Sequence, residues 1–291
     1  MSHTPPRLTV ILQVRRFMNI TQQSYIIDIA VYNRDDIHNL DIDWDVVYAN
    51  RTTAPIGVIC KATEWCNEDA TFGRNWQALG RLGIPRGAYC FYRNGQLLMS
   101  AGRQAKHFFS TIQKYGGIKP NDILIIDDEE RYANGTSKLS AKEMIDFLWT
   151  VQTSFGLPDT SQLMIYSTAD LLNNLSLVKL NQAQQSYLKS VKIWTAGYPT
   201  DPTKFDIIPP AYIPDNRWAM PSLWQWAENF IVSNIYGGSD MNYATPEFLQ
   251  WWGASVTPPV DAEHAAFDAW MENHPKPSQY EIWLGAKGKL K

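Results

Sequence analysis

The stretch Ile123-Leu124-Ile125-Ile126-Asp127-Asp128-Glu129-Glu130-Arg131 decides how the rest of the chain is read. Four apolar residues, three of them β-branched, form a strand suited to burial on both faces, and four acids stand at its carboxyl end. Successive side chains of a strand point to opposite faces. Asp127 therefore shares a face with Glu129, about 6.6 Å away along the chain, and Asp128 shares the other face with Glu130. A parallel α/β barrel keeps its chemistry at the carboxyl ends of its strands. A pair of carboxyl groups is also what glycoside hydrolysis requires, one to protonate the leaving oxygen and one to stabilise or attack the sugar. The competing reading is a strand that ends in an acidic, solvated turn.

Outward from this run, apolar strand candidates recur at 25–31, 56–62, 87–92, 163–167, 191–196 and 222–226. Helical patterns separate most of them. Phe72, Trp76, Leu79 and Leu82 share a face, as do Ala101, Ala105, Phe108 and Ile112. Ser140 and Glu143 have capping-box spacing ahead of Met144, Phe147, Leu148 and Val151. Strands apolar on both faces that alternate with helices predict a parallel sheet covered by helices. No glycine-rich phosphate loop follows the first strand, which disfavours a dinucleotide fold. The expected fold is α/β, an irregular TIM-like (β/α) barrel forming a single catalytic domain over residues 23–253. Irregularity is expected between Pro199 and Pro221, where Pro, Asp and Tyr replace the helical pattern. Residues 1–22 read as a leader with Met18 as an alternative start, and 254–291 as a linker and C-terminal extension.

At 291 residues the chain accommodates one barrel of about 250 residues. Its net charge of -3 gives no electrostatic case for nucleic acid, and no basic run suggests a membrane surface. No segment has the length of a membrane-spanning helix, so membrane insertion is not expected. The N-terminus makes a poor signal peptide, because the apolar part from Leu8 to Val14 is short and interrupted by Gln13. Twelve Trp and fourteen Tyr exceed the needs of a core this size and fit recognition of sugars or peptides, although Trp in helices packing on a sheet is the commoner reason for such an excess. Cys60, Cys66 and Cys90 are too few for a disulfide framework and lack zinc-ligand spacing. None of His3, His38, His107, His264 and His274 sits at a strand end with Ser or Cys, so a Ser-His-Asp hydrolase has no support. No metal and no cofactor are expected.

Taken in order, the strand ends resemble those of glycoside hydrolase family 25, the Chalaropsis-type lysozymes or muramidases. The matching pieces begin with Ile27-Asp28-Ile29, the run from Gly57 to Glu64 and the run from Gly87 to Tyr92. Ile126-Asp127-Asp128-Glu129 follows, similar to the family's Asp-x-Glu signature. Then come Ile165-Tyr166-Ser167, the run from Ile193 to Tyr198, Leu223-Trp224-Gln225-Trp226 and, last, Gly238-Ser239-Asp240-Met241-Asn242. The resemblance covers about residues 24–252. It implies cleavage of the β-1,4 bond between N-acetylmuramic acid and N-acetylglucosamine in peptidoglycan, and it selects Asp127 and Glu129 over Asp128 and Glu130. Two departures are expected to face the groove. Ala30-Val31-Tyr32 stands where the family usually has Ser or His, and Trp65 where a Gly commonly follows.

By chemistry, Glu129 is the expected general acid, its pKa raised by burial and by the like charge of Asp127. Asp127 is expected to attack the sugar or to position its N-acetyl group, and Asp28 to orient Asp127 or the acetamido group. Asp240 has a supporting role by resemblance. Tyr89, Tyr166, Trp194, Tyr198 and Trp224 are expected along the groove, with Lys61 at the barrel mouth beside Glu64. The expected partner is the peptidoglycan glycan strand, met after release by lysis or from a phage or secreted particle. A different class of function is a catalytically silent barrel that binds glycan or serves a larger assembly. The C-terminal extension, with Phe267, Trp270, Tyr280 and Trp283, could dock a partner or pack on the barrel.

Overall fold

The computed structural model describes residues 25–33, 41–49, 54–94, 99–199, 208–230, 232 and 234–254. The expected leader and the extension with its aromatic anchors lie outside them. All seven expected strands form: β1 (Ile26–Ile29), β2 (Gly57–Glu64), β4 (Arg86–Phe91), β5 (Ile123–Asp127), β6 (Leu163–Thr168), β7 (Lys192–Ala196) and β8 (Pro221–Phe230). A two-residue β3 (Asn67–Glu68) folds back on the end of β2. The barrel strand not foreseen is β9 (Ser239–Ala244). Its sequence, Ser-Asp-Met-Asn-Tyr-Ala, is too polar and too poor in β-branched residues to read as a strand.

Strands β1, β2, β4, β5, β6, β7 and β8 pair in parallel, and β9 closes the ring by pairing antiparallel with both β8 and β1. The result is an eight-stranded closed mixed barrel of the α/β class. Around it run α1 (Trp44–Ala49), α2 (Phe72–Leu82), α3 (Ala101–Lys114), α4 (Ala141–Phe155), α5 (Ala169–Asn174), α6 (Gln182–Ser190) and α7 (Pro246–Trp252). The expected apolar faces of α2 and α3 are buried, apart from Leu82, which is half-buried, and α4 begins at the Ser140–Glu143 capping box.

Strand alternation divides the core in two. Outward residues such as Val58, Ala88, Leu124, Ile126, Ile165 and Trp224 pack under the helices. Inward residues Ile26, Ile59, Ile123, Ile125, Met164 and Leu223 fill the barrel, and Phe248, Leu249 and Trp252 of α7 join them. Because β8 starts and β9 ends beside α7, this helix plugs the amino end of the barrel. The Trp252 indole occupies the space that a Cβ on Gly57 would need, which is why β2 begins with glycine. With that end filled by apolar side chains, the inward positions at the carboxyl ends are left for polar groups.

Candidate active site

Continuing each strand's inward parity upward leads from the apolar plug to the acids. On β5 the series Ile123, Ile125, Asp127 extends past the strand to Glu129; on β1 it runs Ile26, Asp28; on β6, Met164, Tyr166. Asp28, Lys61, Tyr89, Asp127, Glu129, Tyr166, Trp194, Tyr198 and Asp240 all line one cavity of about 470 Å³ at this end. Phe91, Gln225, Glu228 and Asn229 complete much of its wall. Asp128 and Glu130 take the other parity. Asp128 is 2% exposed and accepts a hydrogen bond from the Ser137 hydroxyl at 2.8 Å, while Glu130 pairs with Arg93 at 2.9 Å.

Gln225 is the centre of the polar network, and residue-type reasoning passed over it. Its Oε1 accepts from the Tyr166 hydroxyl at 2.6 Å and the Tyr198 hydroxyl at 2.9 Å. Its Nε2 donates to Asp240 Oδ2 at 2.9 Å and to Asp28 Oδ2 at 3.2 Å. Two hydroxyl donors on one side and two carboxylate acceptors on the other fix which way the amide faces. Asn242 repeats the arrangement: Nδ2 donates to Asp28 Oδ2 at 2.7 Å, and Oδ1 accepts from Trp194 Nε1 at 2.7 Å. The signal was present in strand parity. Leu223 points into the barrel, so Gln225 must as well, and Trp224 must not.

Trp224 corrects the expected groove. It is fully buried on the outer side of β8, beside Tyr212 at 5.8 Å between ring centroids, and its Nε1 donates to the Gly197 carbonyl at 2.8 Å. Trp224→Phe should therefore cost about 1–2 kcal/mol of stability, because it leaves that half-buried carbonyl without its indole donor. Ligand affinity of the cavity should stay unchanged; urea unfolding and steady-state kinetics check the two halves. Tyr166 and Trp194 do line the cavity, but they pack on each other at 4.3 Å and are 6% and 2% exposed. Tyr198 keeps an open ring at 48% exposure. Of the two departures, Ala30 lines the cavity and Trp65 does not. Trp65 has φ 54°, the left-handed backbone that glycine adopts without strain, which accounts for a Gly at the equivalent place in the family it resembles. Lys61 bonds Glu64 at 2.6 Å, as expected at the mouth.

Burial sets the charge state of the acids. It raises Asp28 to about 7; the neighbouring charge of Asp240 adds to this, and the two amide hydrogen bonds oppose it without cancelling it. Asp240 rises to about 6, again chiefly by burial. Asp127, 4% exposed, is pushed well above the carboxylate range by burial and then by Glu129. Its Oδ1 is buried with no hydrogen-bond partner. Glu129 is raised as well; loss of hydration at the cavity wall outweighs the nearby Tyr166 hydroxyl and the charges of Lys61, Arg93 and Arg131. The Asp127–Glu129 pair thus retains a proton above the ordinary carboxylate range, as an acid catalyst requires. Among the described residues, no group of three or more His, Cys, Asp and Glu side chains is arranged to hold a metal ion.

The family model for glycosyl hydrolases family 25 matches residues 27–235. Among solved structures, the bacterial lysozyme from Streptomyces coelicolor aligns with a TM-score of 0.57 at 21% identity, covering 81% of this chain and 98% of that one. The CTP1L endolysin aligns at 0.56 and 22% identity, covering 79% of this chain and 69% of that one. The catalytic domain of endolysin ply40, from bacteriophage P40 of Listeria monocytogenes, aligns at 0.56 and 18% identity over 80% and 98%. No curated protein sequence matches the chain. At these identities the structural likeness speaks for a shared barrel, and the family follows from the sequence model. With that model spanning the strands that carry Asp28, Asp127, Glu129 and Gln225, the chain belongs to family 25 of the glycosyl hydrolases.

Proposed function

We propose that the chain is a muramidase that hydrolyses the β-1,4 bond between N-acetylmuramic acid and N-acetylglucosamine in bacterial peptidoglycan, with Glu129 as general acid and Asp127 assisting. The observation that carries this reading is the pair itself. Two carboxyl groups of one strand end line a single cavity, and as a pair they keep a proton above the ordinary carboxylate range. Glu129 gives its proton to the glycosidic oxygen as that bond breaks. The unbonded Oδ1 of Asp127 is free to accept the N–H of the sugar's 2-acetamido group, whose carbonyl oxygen then attacks the anomeric carbon. Asp28, held by Asn242 and Gln225, stands beside this pair and orients it. Water then opens the intermediate, with the Glu129 carboxylate as base.

The names of the solved relatives, lysozyme and endolysin, support action on the cell wall after lysis or from a particle. No helix of the described residues is long and apolar enough to cross a membrane. A silent, glycan-binding barrel is the lesser reading, because binding alone gives no reason to bury Asp28 and Asp127 against their own desolvation and to crowd Glu129 and Asp240 beside them. Digestion of purified peptidoglycan, with mass spectrometry of the released muropeptides, tests the proposal. New reducing-end muramic acid supports it. New reducing-end glucosamine, or co-sedimentation with intact glycan, overturns it. Parallel digestion of chitin separates this substrate from an unsubstituted N-acetylglucosamine polymer.

A further inference from the structure

The run of four acids divides its labour. Asp127 and Glu129 face the cavity, whereas Asp128 and Glu130 are tied down on the other side. Before Glu129, the Asp128 N–H donates to the Tyr166 carbonyl at 2.9 Å, and the Asp128 carbonyl accepts from the Ser167 hydroxyl at 2.8 Å. After it, Glu130 Oε2 accepts from the Asn94 N–H at 3.0 Å, and its carbonyl accepts from the Lys138 N–H at 2.8 Å. Its other carboxylate oxygen, Oε1, accepts from Arg93 Nη1 at 2.9 Å.

Arg93 is itself held firmly. Buried Gln104 bonds both its backbone N–H, at 3.3 Å, and its carbonyl, at 2.8 Å. Its guanidinium donates twice to Glu64 Oε1, at 2.5 and 2.8 Å, and lies over the Phe91 ring at 4.4 Å. Phe91 is cavity wall, and Glu64 in turn holds Lys61, which also lines the cavity. One planar, five-donor group therefore ties the ends of β2, β4 and β5 together one residue from the acid.

We infer that Arg93 is a positioning residue for the reaction, fixing through Glu130 the direction in which Glu129 presents its carboxyl group to the glycosidic oxygen. The inference rests on Glu129 being the acid. It also gives Arg93 a charge effect, since Glu129 answers to every charge around it. The cations are Lys61 on β2, Arg93 after β4 and Arg131 after β5. The acids are Asp28 on β1, Asp127 and Asp128 at the end of β5, and Asp240 on β9. Hydroxyls of Tyr89, Tyr166 and Tyr198 face it from β4, β6 and the end of β7.

The test measures kcat, KM and the pH profile of kcat/KM for wild type, Arg93→Gln, Arg93→Lys and Glu130→Gln. For Arg93→Gln, kcat should fall roughly tenfold with KM within about twofold, because orientation and not affinity is lost. Its alkaline limb should move to higher pH, since a cation that favoured the carboxylate is gone. Arg93→Lys should return the limb to its wild-type place but leave kcat low, because an ammonium cannot make the forked contacts. Glu130→Gln should lower kcat and move the limb the opposite way, and it carries the test if Arg93→Gln does not fold. An Arg93→Gln enzyme that only melts earlier, with kcat and limb unchanged, overturns the inference. A wild-type enzyme whose turnover survives Glu129→Gln overturns instead the assignment of the acid on which it rests.

Discussion

Replacing Glu129 with Gln lowers kcat/KM on peptidoglycan by about 10²–10⁴-fold, the span that a positioned general acid supplies. The substitution keeps the shape of the side chain, and it removes only the proton that the leaving oxygen must receive. KM should change little, since the loss falls on the transition state. The wild-type pH profile carries the complementary signature. Partial desolvation at the cavity wall raises the Glu129 carboxyl above its ordinary value, so the active, protonated form persists to higher pH than for a fully solvated glutamate. Above the upper pKa of the Asp127–Glu129 pair, kcat/KM should drop tenfold for each pH unit. Release of reducing ends from purified cell walls, followed from acid to mildly alkaline pH, checks both statements. A Glu129→Gln enzyme that kept nearly all of the wild-type rate would remove Glu129 from the mechanism and turn attention to Asp127, the more deeply buried of the two.

Much of this site was legible because strand parity is a rigid rule. Once Ile123, Ile125 and Asp127 are placed on one face, Glu129 must follow them, and the same count from Ile26 delivers Asp28. Parity also held the correction. The aromatic ring of Trp224 suggests a place in the groove, although the inward face of β8 runs through Leu223 to Gln225. Residue type and parity disagree on this strand, and parity puts in the cavity the amide that holds four groups together. Strand β9 was hidden for a related reason. Its Asp240 and Asn242 point into a polar site and not into a core, so the hydrophobic alternation that marks a half-buried strand is missing. The left-handed backbone at Trp65 could not be read at all, because a tryptophan there gives no local sign of a turn that glycine makes without strain. The bracing of Glu129 through Arg93 needed coordinates for another reason: residues 64, 93 and 130 meet only across three adjacent strands.

Converting Asp28 to Asn should make the protein more stable at neutral pH while making it a poorer enzyme. Folding takes this carboxyl from an ordinary value of 3.8 to about 7, mainly by removing it from water. Between these values the folded protein keeps a proton that the unfolded chain has given up, so stability falls as pH rises through the window. A shift of this size corresponds to an upper bound of roughly 4 kcal/mol at neutral pH, because each pKa unit is worth about 1.4 kcal/mol. Asparagine escapes this cost and keeps the contacts. Both amide hydrogen bonds, from Asn242 and Gln225, end on the single oxygen Oδ2, and the carbonyl of an asparagine in this place can accept both. Asp240 would also be relieved, since the repulsion it shares with Asp28 disappears. Urea unfolding should therefore show Asp28→Asn more stable than wild type by about 2–4 kcal/mol at about pH 8 and equal to it near pH 3.5, where the wild-type carboxyl is largely protonated in both states. Activity should fall in the same variant, because a neutral amide no longer directs Asp127 or the acetamido group. Strain of this kind, kept against stability for the sake of chemistry, is what a catalytic cavity stores. A variant that is less stable than wild type under the same alkaline conditions would instead give Asp28 a structural role, with its charge needed to hold Asn242 and Gln225 in place.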